Sequence, residues 1–240
     1  MGLQEALQVL YPPQCISCGA GVTSDFGLCG DCWRETSFIA GLVCDLCGVP
    51  LQGEDSERTV LCDDCMTIAR PWSQGRAAML YKDNGRRIVL ALKHGDRLDL
   101  ARPAALWMHK VARPMLKQNM LAIPVPLHWF RLFRRRYNQA ALLSSAVAKL
   151  AGLESCPDGL IRRRTTGSQE GRNRDARFAN LRDAFAVPER HRKLVDQREI
   201  LLVDDVMTSG ATFAAATEAL FAAGAASVSV LSLARVAKDA

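Results

Sequence analysis

Two groups of residues in this 240-residue chain have types and spacings suited to chemistry. The first is the stretch EILLVDDVMTSGAT, Glu199 to Thr212. An apolar run of buried-strand type, Ile200 to Val203, ends on two adjacent carboxylates, Asp204 and Asp205. Five small or hydroxyl residues follow closely (Thr208, Ser209, Gly210, Ala211, Thr212) and open into an alanine-rich helical run ending near Ala223. A helix start leaves its first N–H groups unpaired and carries the positive end of the dipole, so a phosphate is stabilised where backbone can approach it. Gly210 and Ala211 permit that approach, and the hydroxyls of Thr208, Ser209 and Thr212 add donors. Asp204 and Asp205, candidate catalytic and binding residues, can accept from a pair of ribose hydroxyls. This is the layout of a sugar-phosphate site. The plainer alternative is a strand, an Asp-rich loop and an N-capped helix.

The second group is eight cysteines in four C-x-x-C pairs: Cys15/Cys18, Cys29/Cys32, Cys44/Cys47 and Cys62/Cys65. The intervals between pairs are 10, 11 and 14 residues, and glycine follows Cys18, Cys29 and Cys47, which suits the tight turn that aims backbone N–H groups at sulfur. Four thiolates make one tetrahedral site, so eight predict two structural Zn²⁺ sites with no open coordination position. Redox pairs and disulfides are the competing readings, disfavoured by the ribbon spacing and the expected cytoplasmic location. Sequential pairing closes loops of only ten to fourteen residues and is favoured over an interleaved cross-brace on entropic grounds. The ninth cysteine, Cys156, stands apart and is assigned no function.

Charge divides the chain between these two groups. Residues 1–70 carry three basic and ten acidic residues, net −7, whereas residues 71–240 carry 28 and 15, net +13. Eight thiolates and two Zn²⁺ bring the amino-terminal module near −11, which would repel a phosphate backbone. The ribbons are therefore expected to be structural, or to dock on a protein or on the basic body of the same chain. That body suits a polyanionic small ligand, nucleic acid, or both. No apolar run approaches the roughly 20 residues of a membrane span, and the amino terminus lacks the basic flank and cleavage site of a signal peptide, so no membrane insertion is expected.

The elements that must position these groups follow in order. A short helix at Leu3, Leu7 and Leu10 is stopped by Pro12 and Pro13. Pro71 marks the join between a 1–70 ribbon module and a 71–240 body. Ala77 to Tyr81 reads as a strand, Asp83-Asn84-Gly85 as a turn, and a helix through Ile88, Val89 and Leu92 ends in Lys93 and His94. Asp96 to Leu116 is helical, Met120 to Val125 is a strand, and Ala140 to Leu150 is an apolar helix. Between the last two, Arg131, Arg134, Arg135 and Arg136 alternate with Trp129, Phe130, Phe133 and Tyr137. Such a segment suits covering a pyrophosphate or stacking on single-stranded nucleic acid; half-buried packing with a solvated face is the plain alternative. Leu160-Ile161 is a short extended piece, Glu170 to Leu181 a helix, Arg190 to Arg198 a polar connection, and Ala226 to Ala234 a final strand.

LLVDDVMTSGAT resembles the PRPP-binding motif of type I phosphoribosyltransferases, in which the acidic pair binds the ribose hydroxyls and the following loop holds the 5′-phosphate. Together with the double ribbon, PVPLH at 124–128, the arginine-rich stretch ending YNQA, and a later segment with Gln169, Arg177, Asn180 and Phe185, it resembles the ComF family over essentially the whole chain. The resemblance implies an α/β fold: a type I phosphoribosyltransferase-like parallel sheet flanked by helices, preceded by a small double zinc-ribbon module. It implies PRPP bound with Mg²⁺, contacts from Val125, Pro126 and Leu127 to pyrophosphate, and Lys93 with Arg131 and Arg134 to Arg136 as pyrophosphate or DNA contacts. Phosphoribosyl transfer to an unidentified acceptor leads; single-stranded DNA handling in natural transformation, with a competence or helicase-type protein partner, and a non-catalytic PRPP sensor are the alternatives. One departure from the family stands in the arginine segment: Arg136 occupies a place where glycine is common.

Overall fold

The computed structural model describes residues 12–53, 58–94, 97–127, 137–163, 181 and 183–237. The expected helix at Leu3 to Leu10, the segment with Arg131 and Arg134 to Arg136, and the 164–180 stretch with Gln169, Arg177 and Asn180 lie outside these residues.

The cysteine-rich part holds two short helices, α1 (Gly30–Arg34) and α2 (Asp63–Thr67). Beyond it, strands β1 (Gln74–Leu80), β2 (Leu121–Pro124), β3 (Glu154–Ser155), β6 (Glu199–Met207) and β7 (Ser227–Arg235) form one parallel sheet in the order β1-β7-β6-β2-β3. A two-stranded antiparallel piece, β4 (Ile161–Arg162) with β5 (Phe185–Ala186), stands apart. The helices are α3 (Asp83–His94), α4 (Ala101–Ala112), α5 (Gln139–Ala151), α6 (Arg192–Val195) and α7 (Ala211–Phe221). The fold is α/β with a parallel sheet flanked by helices behind a zinc-ribbon region, as the sequence predicts.

The period-2 geometry of β6 explains why its apolar run is continuous. Ile200 and Leu202 face one core, Leu201 and Val203 the other, and all four are fully buried. Each contributes about 1.5–3 kcal/mol by leaving water. On one face α3, α4 and α5 pack Ile88, Met108, Leu143 and Val147 against the sheet. On the other, α7 supplies Phe213 and Leu220, and the second cysteine cluster lies beside it, contributing Cys44, Cys47, Cys65 and Trp72 to the same core. The ribbon thus occupies part of a helix layer.

The ribbon region also covers an edge. The side of β1 away from β7 accepts a short antiparallel bridge at Phe38–Met79, with Ile39 N–H donating to Ala78 O (3.0 Å) and Leu80 N–H to Ser37 O (2.8 Å). An open strand edge is a template for unwanted pairing, and the ribbon closes this one.

Three expectations need correcting in detail. Asp83-Asn84-Gly85 is the first turn of α3, with Asp83 at φ +44°, rather than a free turn. The cause is tertiary: Asn84 is fully buried and donates to Cys32 O (3.1 Å) and Thr36 Oγ1 (2.8 Å), while its N–H reaches Glu35 O. Strand β6 does not end at the acidic pair but continues to Met207, because β7 pairs with it as far as Met207–Arg235. The connection before β6 contains α6, anchored by the fully buried Val195. No helix among the described residues is long and apolar enough to cross a membrane.

Candidate functional site

In the strand order β1-β7-β6-β2-β3, the chain leaves β6 toward β7 on one side and leaves β2 toward β3 on the other. The crevice at the carboxyl ends of β2 and β6 is therefore the topological switch point, where open α/β sheets bind ligands. Both candidate loops meet there. Val125, just past β2, donates its N–H to Val203 O (2.8 Å), which brings Val125, Pro126 and Leu127 alongside Asp204. Val125 is buried; Pro126 and Leu127 are partly open.

The two carboxylates project to opposite sides of β6. Asp205 is buried and pairs with Lys93 Nζ at 3.1 Å, at the last turn of α3. Asp204 accepts the N–H of Asp205 at Oδ1 (2.8 Å) and is partly open to solvent. Desolvation, followed by the charge of Asp205, pushes the Asp204 carboxyl up to about 8; Lys93 and Arg162 pull the other way. Arg162, on β4, rests over the Phe185 ring at 5.5 Å and had no role in the sequence reading.

Gly210 sits at φ +83° as the residue before α7, a left-handed conformation that glycine adopts without strain. A side chain there would also meet Arg70 Nη1 at 2.8 Å and the Trp72 ring at 3.0 Å. Two arginines hold the turn's carbonyls: Arg235 donates to Thr208 O (2.6 Å) and Arg70 to Ser209 O (2.7 Å). In a trans peptide the N–H points opposite to the C=O, so fixing these carbonyls turns the N–H groups of Ser209 and Gly210 away from the arginines. Ala211 is buried, Ser209 and Thr212 are half-buried, and Thr208 is exposed. N–H groups of the turn and of the amino end of α7 are a donor set whose chemistry suits an anion, although the Ala211 N–H already reaches Ser209 Oγ (3.4 Å).

The residues around YNQ act by positioning. Tyr137 Oη donates to Leu92 O (2.9 Å) and Gln139 Nε2 to Lys93 O (3.4 Å), which anchors the end of α3. Asn138 caps α5 through Ala140 N–H and donates to Val125 O (3.1 Å), holding the β2 loop.

The cysteines form two separate groups, Cys15/Cys18/Cys29/Cys32 and Cys44/Cys47/Cys62/Cys65, each with its sulfurs within 4.8 Å of one another. This is sequential pairing. Facing sulfurs of neighbouring pairs, Cys18 with Cys29 and Cys47 with Cys62, are 3.6 Å apart. A tetrahedron with Zn–S near 2.3 Å has an edge of about 3.8 Å, so both sets fit zinc. With four protein ligands each, the sites hold Zn²⁺ for structure and leave no position for substrate.

Comparison with known proteins agrees with the zinc-ribbon half of this geometry. The family described as "Double zinc ribbon domain" matches residues 6–66. Competence protein F of Haemophilus influenzae is 27% identical over 92% of this chain and 96% of its own length. DNA utilization protein YhgH of Salmonella typhimurium is 29% identical over 88% and 92%, and that of Escherichia coli K12 27% over 88% and 91%. Over nearly its whole length the chain is similar to these competence and DNA utilization proteins. A solved structure, TT1426 from Thermus thermophilus, overlays at a TM-score of 0.34 with 16% identity, covering 58% of this chain and 85% of its own, too slight a likeness to bear on the site.

Sequence reasoning missed Arg70, Trp72, Arg162 and Arg235 around this candidate site. A charged residue ending a long apolar strand was the available signal for Arg235, which is 4% exposed. Arg70 had no comparable local signal.

Proposed function

We propose that this chain is a cytoplasmic ComF-family protein that binds PRPP with Mg²⁺ and transfers the phosphoribosyl group to an acceptor. The observation that carries the reading is the meeting, at the switch point, of an acidic pair and a turn whose carbonyls are tied back by Arg70 and Arg235. Ribose hydroxyls donate to Asp204 and Asp205. The amides of 208–212 and the start of α7 receive the 5′-phosphate, and the backbone at Val125 to Leu127 receives pyrophosphate, with Lys93 close by. Mg²⁺ entering with PRPP offsets diphosphate charge. Such a transfer proceeds by stabilising an oxocarbenium-like carbon and a departing anion, so the chain needs donors and charge rather than a nucleophile. Isothermal titration with PRPP and Mg²⁺ tests this. Binding that is lost in Asp204→Ala and Asp205→Ala supports it, and the absence of heat with the native chain refutes it. Pyrophosphate release with candidate acceptors separates an enzyme from a sensor.

A second reading has its own support. The relatives are named for competence and DNA utilization, and the body from residue 71 onward carries net +13. On this reading the chain serves DNA uptake by holding single-stranded DNA on its basic body, with PRPP as substrate or regulator. Fluorescence anisotropy with a single-stranded oligonucleotide across a salt series should show affinity falling steeply with salt. Charge removal at Arg131 and Arg134 to Arg136 should flatten that slope; an unchanged slope rejects the segment as the contact.

A further inference from the structure

The second ribbon reaches into the phosphate turn. Arg70, five residues past the last zinc ligand, donates through Nη1 to Ser209 O at 2.7 Å, and its guanidinium lies beside the Cys65 sulfur. Its guanidinium lies over the Trp72 ring, 5.4 Å from the centroid. Trp72 is 3% exposed, donates Nε1–H to Leu46 O (2.6 Å) between Cys44 and Cys47, and packs edge-on against Phe213 in the first turn of α7 (6.2 Å). Gly210 is in contact range of both side chains, close enough that a methyl group at its Cα would collide with them. A zinc ligand, an arginine, a tryptophan, the turn and the helix that follows therefore form one contiguous packed unit.

We infer that the second zinc site is a working part of the anion site: Arg70 is a positioning residue that transmits the order of the Cys44/Cys47/Cys62/Cys65 cluster to the peptide planes of the 208–210 turn. The chemistry is suited to this. Four thiolates on Zn²⁺ carry a net charge of −2, which attracts a guanidinium placed beside them while its planar fork donates to the Ser209 carbonyl. Holding Ser209 O directs the Gly210 N–H the opposite way, toward the crevice. With the ribbon disordered, that carbonyl loses its partner and is free to rotate, so that the turn presents an oxygen to the phosphate in a fraction of molecules. Affinity then falls in proportion to the competent fraction.

This inference deepens the PRPP reading and rests on it for the ligand, but its structural half is measurable alone. Full-length native chain, Arg70→Ala and Arg70→Lys are compared by zinc content, hydrogen exchange and titration with PRPP and Mg²⁺. Arg70→Ala is expected to retain two zinc ions, speed amide exchange in 208–213 without altering the 12–53 region, and weaken PRPP about tenfold, the worth of one charge-assisted hydrogen bond. Lysine, a point donor, is expected to restore only part of the affinity, and millimolar guanidinium ion is expected to rescue Arg70→Ala selectively. Exchange and affinity both unchanged in Arg70→Ala overturn the inference. If the native chain fails to bind PRPP, the functional reading falls, while slower native exchange at 208–213 still supports the coupling and equal exchange rejects it. If Arg70→Ala does not fold, Arg70→Lys carries the same comparison.

Discussion

Asp204 offers a test in which stability and function pull in opposite directions. Its carboxyl is raised from the ordinary 3.8 to about 8, first by desolvation and then by Asp205, against the pull of Lys93 and Arg162. Between these two values the folded chain holds a proton that the unfolded chain has released. Stability therefore falls as pH rises from about 4 to about 8 and levels off above. At about 1.4 kcal/mol per tenfold change in proton affinity, full expression of that difference is on the order of 5 kcal/mol. Asp204 is partly open to water, which relaxes the penalty, and about 2 kcal/mol is the expected size between pH 5 and 8.5. Asparagine has the shape of the neutral acid and does not titrate. Asp204→Asn should accordingly unfold near the native temperature at pH 5 and about 4–8 °C above it at pH 8.5, by the usual scaling for a chain of this size. Thermal melts of both proteins at the two pH values measure it, and taking the difference cancels the acid sensitivity of the ribbons, which both share. A gap that does not change with pH refutes the reasoning, because Asp204 would then be ionised throughout. A stabilised variant that has lost PRPP binding would mark the strained carboxylate as kept for function.

Three further outcomes follow from single contacts. Asn84→Ala removes the buried amide that Cys32 O and Thr36 Oγ1 both accept from, leaving them only the Thr36 Oγ1–Cys32 O bond (2.7 Å), and should cost about 1–3 kcal/mol in denaturant melts while increasing proteolysis within residues 12–40. Gly75→Ala would place a methyl group 2.2 Å from Leu46 O at the ribbon–β1 contact, and should cost about 3 kcal/mol by the same assay. Cys47→Ser should reduce zinc from two ions to one per chain by native mass spectrometry and leave the Cys15 group loaded; loss of both ions would contradict two independent sites.

What was legible in the chain was local. The strand, acidic pair, turn and helix around Asp204 lie within a single run of sequence, and their apolar pattern, glycine and alanines speak for themselves. The zinc ligands were equally open to reading, because tetrahedral thiolate coordination demands paired cysteines at short intervals. The entropic cost of loop closure favoured the sequential grouping seen in the structure. The misread places depend on distant partners. Asn84 looked like a turn residue because its partner Cys32 is 52 positions away, and β6 looked shorter because its last residues are held by β7.

The sequence by itself determined the chemical inventory: two sets of thiolates and one acidic strand end with a phosphate-type turn. Only the tertiary structure decided how these are joined. Arg70 reaches Ser209 across 139 positions, Tyr137 reaches Leu92 across 45, and Arg235 reaches Thr208 across 27. An arginine's type says only that it can donate to an oxygen; which carbonyl it holds depends on sheet order and on the ribbon's seat in the helix layer. That packing made a zinc module, expected to be structural on grounds of charge, a neighbour of the phosphate turn.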